Sequence, residues 1–254
     1  MAQRLAEFRF YEELNDFLPP ARRKLAFSYA FAGTPSVKDA IEAIGVPHTE
    51  IDLILVDGES VGFDRLLRGG ERVAVYPMFE RFDIAPLVRL RARPLRRPRF
   101  VLDVHLGKLA RYLRLVGFDA LYRNDYDDPT IIRLALAEGR VILTRDKGIL
   151  KHAAVTHGYW LREVRPPCQL REVVRVFQLN RQLQPFSRCL DCNGELQAAA
   201  RDAVLHGLPP HTRQRFETFY QCRECRKVYW AGSHYERMRA MVEELQTPPE
   251  AKLP

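Results

Sequence analysis

No stretch of this 254-residue chain approaches the roughly 18 consecutive apolar residues that can cross a bilayer, so no membrane-spanning segment is expected. The opening MAQRLAEFRFYEELNDF carries acids and lacks the apolar centre of a secretory leader, which makes the cytoplasm the expected compartment. Cysteine is scarce: only Cys168, Cys189, Cys192, Cys222 and Cys225 are present. Four of these fall into two C-x-x-C pairs, and without a leader that arithmetic points to zinc rather than to disulfides. Acids are the minority charge, with 32 Asp and Glu against 40 Lys and Arg, for a net charge of +8. Such a balance favours polyanionic partners without identifying one.

What is there exceeds one ordinary domain, so two or three units are expected. Residues 1–80 form the first. After an amphipathic opening (Phe8, Phe10, Leu14, Phe17, Leu18) and the break at Pro19 and Pro20, a strand is expected over Lys24–Tyr29. Ser36 caps a helix over Val37–Ile44 that Gly45 stops. Strands at Asp52–Val56 and Arg72–Pro77 complete a β-helix-β-β order that looks like a β-grasp domain. Its pattern VDG…L..G..V.V.P is similar to the ubiquitin-like sulfur carriers of thiamine and molybdopterin synthesis. Those act through a free C-terminal Gly-Gly, which is absent after Pro77, so an interaction or substrate-positioning module is expected, with a protein partner as one possibility.

Residues 81–99 hold seven arginines (Arg81, Arg89, Arg91, Arg93, Arg96, Arg97 and Arg99) against one acid, Asp83. Pro86, Pro94 and Pro98 oppose a continuous helix. Such a stretch suits a basic strap along a phosphate backbone, or a solvated linker.

Residues 100–180 organise the rest. The apolar run Phe100–Leu102 ends on Asp103, and a second run, Val141–Thr144, delivers Arg145 and Asp146. Between them, Leu106, Leu109, Ala110, Leu113 and Val116 recur at helical spacing, with Lys108, Arg111 and Arg114 on the opposite, solvated face. A strand is expected at Asp119–Tyr122. Asp128 before Pro129 reads as the cap of a helix that Gly139 ends. A further strand is expected near Tyr159–Leu161 and a helix over Gln169–Leu179. Alternating strands and helices imply an α/β fold with a mostly parallel sheet covered on both faces. Acids delivered to a sheet rim repel one another in a low dielectric, and they persist where a cation binds.

The run DPTIIRLALAEGRVILTRD resembles the closing half of PIN-domain nucleases. The whole of residues 100–180 more closely resembles the PIN-like ribonuclease family named for the C-terminal domain of the Mut-seven exonuclease, whose signature is matched from Asp103 to Asp146. His105 departs from it, standing where a hydrophobic residue is expected. That family often carries a ubiquitin-like N-terminal unit and a C-terminal zinc ribbon. The resemblance implies that Asp103, Asp128 and Asp146 hold Mg²⁺ or Mn²⁺, with Asp125 or Asp127 as a fourth acid, and that the protein is a metal-dependent ribonuclease acting on RNA. Lys108, Arg111 and Arg145 are the candidate RNA contacts, although for Arg145 a structural ion pair is expected ahead of phosphate contact. The competing reading for Asp128 and Asp146 is that of helix caps alone, in a non-catalytic RNA-binding protein or a ubiquitin-like adaptor with a vestigial nuclease fold.

Residues 186–245 form the zinc unit. Cys189, Cys192, Cys222 and Cys225 supply four thiolates on two turns, which suits closed, tetrahedral, structural zinc. Gly194 relaxes the first turn, and an excursion around Leu208–Pro210 bridges the long gap between the pairs. The aromatic run Val228–Tyr235 resembles the ribbon of the same family; its rings, beside Arg226, Lys227 and Arg237, suit either base stacking or packing, with Trp230 assigned to packing. A short closing helix is expected over Met238–Leu245.

Overall fold

The computed structural model describes residues 3–77 and 98–246. Six of the seven strap arginines (Arg81, Arg89, Arg91, Arg93, Arg96 and Arg97) and the tail 247–254 lie outside the described residues. The chain divides into two units, residues 1–96 with 144–160 and residues 97–143 with 161–254.

In the first unit, period-two alternation makes a strand of Arg4–Phe10, with Ala6, Phe8 and Phe10 turned inward. The sequence hides this strand because its apolar series continues through Leu14 and Phe17, which belong to a following 3₁₀ turn, Glu12–Phe17. The strand expected from Lys24 begins instead at Phe27 and runs to Phe31. Lys24 sits at φ 59° and donates its backbone N–H to Asn15 Oδ1 at 2.6 Å, which holds it in a turn. Ser36 and Asp39 form a reciprocal capping box on the helix Val37–Ile44.

Five strands pair in the order Phe27–Phe31, Arg4–Phe10, Arg72–Pro77, Ile51–Val56, Glu59–Ser60. The first and last long strands are parallel at the centre, with Phe8 opposite Val73, and the outer pairings are antiparallel. This is the ubiquitin-like β-grasp arrangement. Val37, Ala40 and Ile41 of the helix join Phe8, Phe10, Ile54 and Val75 in one core. The same unit contains the short helix Lys147–Leu150 and the strand Gly158–Trp160.

In the second unit, Ala120–Leu121, Phe100–Leu102 and Val141–Thr144 run parallel, with Val101 between Leu121 and Ile142. All three residues of the central strand are buried, as expected where helices cover both faces. The flanking helices are Gly107–Leu115, Asp128–Glu138 and Pro166–Val176. The last begins three residues before the expected Gln169 because Pro166 and Pro167 occupy its first turn, where no amide is needed.

The ribbon follows as three antiparallel strands, Leu196–Ala199, Phe219–Cys222 and Val228–Trp230, with short helices filling the excursion between the first two. Val204, Leu208 and Phe219 form its small core, against which Phe216 and Trp230 pack. The closing helix is longer than expected, Ser233–Gln246.

Arg140 braces this unit from within. Arg140 pairs with Asp119 at 2.6 Å and with Glu138 at 2.8 Å and donates to the Phe100 carbonyl. Burial alone would raise the Asp119 carboxyl, but hydrogen bonds from Arg140 and Asn193 outweigh it and hold the group below its ordinary range. A carboxylate lowered in the folded state stabilises the fold above its unfolded pKa, about 3.9, and loses that contribution as pH falls through the folded value. Thermal melts of Asp119→Asn are therefore expected to fall below wild type at pH 7, with the deficit shrinking as pH drops below about 4. A deficit constant across that range would remove the ionised pair from the account.

Candidate functional site

Cys189, Cys192, Cys222 and Cys225 converge with all four sulfurs within 4.8 Å of one another. Cys189 and Cys225 are 3.6 Å apart, and Cys192 and Cys222 are 3.4 Å apart. Zinc–thiolate bonds of about 2.3 Å in a tetrahedron place sulfurs roughly 3.8 Å apart, so the donor set fits zinc.

Each pair sits on a turn whose following residues take the left-handed strain. Asn193 lies at φ 74° directly after Cys192, and Arg226 at φ 63° directly after Cys225. The reason for Gly194 is therefore space rather than backbone freedom. A Cβ there would lie 2.9 Å from Cys222 Sγ and 2.7 Å from Glu224 Cγ.

The surroundings favour thiolates selectively. Burial raises the Cys189 thiol, but the Cys192 amide and the Tyr229 hydroxyl bring it down to about 7. Burial and the adjacent thiols push Cys192 up to about 12. Four thiols this close cannot all ionise on their own, and a divalent cation is what allows it. Tyr229 is held protonated chiefly by burial, and its hydroxyl contacts Cys189 Sγ at 3.1 Å while accepting from the Leu190 amide at 3.1 Å.

The acids occupy different settings. Asp103 follows the central strand; its carboxylate is buried and its amide donates to the Leu143 carbonyl at 3.1 Å. Asp125 is exposed and paired with Arg123 through two contacts of 2.9 and 2.8 Å, and that hydrogen bonding lowers its carboxyl. The cap of helix Asp128–Glu138 is Asp127, not the expected Asp128. Asp127 accepts from the Thr130 amide at 3.0 Å. Because Pro129 takes the second helical position, Asp128 falls on the first, exposed and released from the capping role.

Among the described residues of the second unit, Asp103, Asp125, Asp127 and Asp128 do not form a metal-holding group like that of the cysteines. Asp146, in the first unit, caps Lys147–Leu150 as expected, its Oδ1 accepting from the Gly148 amide at 2.7 Å. His105 and Lys108 are exposed, and Arg111 pairs with Asp191 at 3.4 Å. The Arg145 side chain is exposed and forms no ion pair among the described residues, against the expectation of a structural salt bridge.

Sequence reasoning missed two residues that position the first turn of the four-cysteine cluster. Arg114 is not on a solvated face. It is 3% exposed, and it donates to the carbonyls of Ala120, Leu190 and Asp191. Asn193 accepts from the Ala120 amide and donates to Asp119. The one signal for Arg114 was its position a single residue from Leu113 and Leu115, on the edge of the apolar stripe. Beside the ribbon lies a cleft of about 920 Å³ whose walls include Arg111, Arg215, Lys227, Trp230, Tyr235 and Arg237.

Residues 98–242 match the family model described as the Mut7-C RNAse domain, and residues 3–83 match that described as Mut7-C ubiquitin. No curated protein and no solved structure matches the chain. No helix among the described residues is long and apolar enough to cross a membrane.

Replacing Gly194 with Ala is expected to force the second thiolate turn away from the first and to lower zinc affinity by about 10-fold or more, on the scale of other outer-contact losses. Zinc release followed with a colorimetric chelator measures it. Unchanged release would mean that the turns tolerate the extra carbon.

Proposed function

Because the chain belongs to the Mut7-C RNAse domain family, we propose that it is a metal-dependent ribonuclease that hydrolyses RNA phosphodiester bonds. The observation carrying this reading is the family match itself, which spans 98–242 and so more than half of the chain. In this reading Asp103, Asp128 and Asp146, with Asp125 as a fourth acid, hold Mg²⁺ or Mn²⁺. Their all-oxygen chemistry fits these hard cations. Such an ion, when bound, lowers the pKa of a water and stabilises charge on the phosphoryl oxygens.

The chain's own residues then have distinct tasks. Asp103, buried at the end of a strand, offers a carboxylate with little freedom to turn away. Asp128 stands exposed on the first turn of its helix, where a cation can reach its carboxylate. The Gly148 amide orients Asp146 through one oxygen. Lys108, Arg111 and Arg145 neutralise RNA phosphates, and the cleft beside the ribbon, rimmed by Arg111, Arg215, Lys227 and Arg237, suits a single strand. Zinc holds the ribbon in shape, and the ubiquitin-like unit offers a surface for a protein partner.

A second reading, a non-catalytic RNA-binding protein, is favoured by one observation: Asp127 and Asp146 both have structural work as caps.

Cleavage of labelled single-stranded and structured RNA, with Mn²⁺, Mg²⁺ or chelator, separates the two readings. Metal-dependent cutting by wild type is expected to drop at least 100-fold in both Asp103→Asn and Asp146→Asn, on the scale of losing a group that acts in the transition state. Binding without cutting on every RNA would establish the second reading.

A further inference from the structure

Asp146 sits in a segment, 144–160, that packs into the same unit as the β-grasp sheet. The contacts converge on Trp160. Its backbone N–H donates to Glu50 Oε1 at 2.7 Å, and Glu50 is 5% exposed. Its ring lies 5.0 Å from the buried ring of Phe17. The Lys147 ammonium stands over both rings, 4.2 Å from that of Trp160 and 4.6 Å from that of Phe17. The indole Nε1–H donates to the Arg145 carbonyl at 3.1 Å. Trp160 thus holds the residue before Asp146 by a hydrogen bond and the residue after it by a cation–π contact.

The rest of the segment is pinned in the same way. His48 Nδ1 lies 2.6 Å from Glu42 Oε1, and its Nε2 lies 2.7 Å from the Val155 carbonyl oxygen. Lys151 donates to the Glu42 carbonyl at 3.0 Å. Every one of these anchors, Phe17, Glu42, His48 and Glu50, comes from the N-terminal region matched as Mut7-C ubiquitin.

We propose that Trp160 is a positioning residue for Asp146, and that the ubiquitin-like unit holds it in place through Glu50 and Phe17. The inference rests on the reading of Asp146 as a metal-holding acid. A short four-residue helix cannot by itself fix the direction of the carboxylate that caps it, and an indole bonded on both sides of that carboxylate can. Outer contacts of this kind orient metal-holding carboxylates without touching the ion.

The test uses the full-length protein. Trp160→Phe keeps a ring against Phe17 and removes the N–H that reaches Arg145. Glu50→Ala removes the anchor on the Trp160 amide, whereas Glu50→Gln keeps an oxygen to accept from it. Mn²⁺ affinity measured by calorimetry without RNA is expected to weaken about 10-fold in Trp160→Phe and in Glu50→Ala and to be largely restored in Glu50→Gln. Hydrogen exchange over 145–150 is expected to quicken in the two weakened variants, while zinc content and the melting temperature of Trp160→Phe stay at wild-type values.

A purely structural role would lower the melting temperature and leave Mn²⁺ affinity alone, which would overturn the proposal. If Asp146→Asn weakens Mn²⁺ binding while Trp160→Phe and Glu50→Ala do not, the positioning role fails and the nuclease reading stands. If Asp146→Asn leaves Mn²⁺ binding and cleavage intact, the role assigned to Asp146 fails, and the positioning proposal falls with it.

Discussion

Arg114 carries its guanidinium into the interior and spends it on three backbone carbonyls, those of Ala120, Leu190 and Asp191. The first belongs to an edge strand of the parallel sheet and the other two to the turn between Cys189 and Cys192. Burying an unpaired guanidinium costs several kcal/mol. Each hydrogen bond from a charged donor returns about 1.5–3 kcal/mol, so the arrangement is favourable only when all its acceptors are present. Burial accordingly pulls the Arg114 pKa down, opposed by the nearby thiols and Asp191. The thiolate turn and the sheet are therefore one construction, and Asn193, which joins Ala120 to Asp119, extends it toward Arg140.

Local grammar made much of this legible in the chain. Two C-x-x-C pairs state a metal site by spacing alone, and the apolar runs ending at Asp103 and Thr144 state a parallel sheet. Ser36 and Gly45 bracket their helix as written. What stayed hidden depended on distant partners. Nothing near Arg114 in sequence announces three carbonyls up to 77 residues away. Capping at Asp127 rather than Asp128 turns on which of two adjacent acids reaches Thr130, a difference of one residue that spacing does not resolve. The first strand was obscured because its inward residues and those of the next turn form a single apolar series. Gly194 was recognised as necessary for the wrong reason, since a neighbouring thiolate turn, invisible along the chain, is what crowds it.

The carboxylates divide by environment in a way that bears on their chemistry. Asp103 is enclosed, Asp125 is committed to Arg123, and Asp127 and Asp146 accept from helix amides. A backbone amide at a helix start and a metal ion both favour the ionised form, so a cap and a metal-holding acid are compatible roles for one residue. Asp146 combines a fixed orientation with exposure, which is what a carboxylate meeting a hydrated cation requires.

The division of the chain also sets an order of events at the ribosome. The β-grasp strands are complete once Pro77 has emerged, yet residues 144–160, which share their unit, are made only after the first strands of the sheet that follows. At about 5–20 residues per second, the N-terminal module waits on the order of several seconds before Val155 and Trp160, which His48, Phe17 and Glu50 contact, are made. A nascent chain halted before Trp160 would display that incomplete surface. Release of Trp160 from the exit tunnel supplies the partner of Glu50 and Phe17 and completes the first unit.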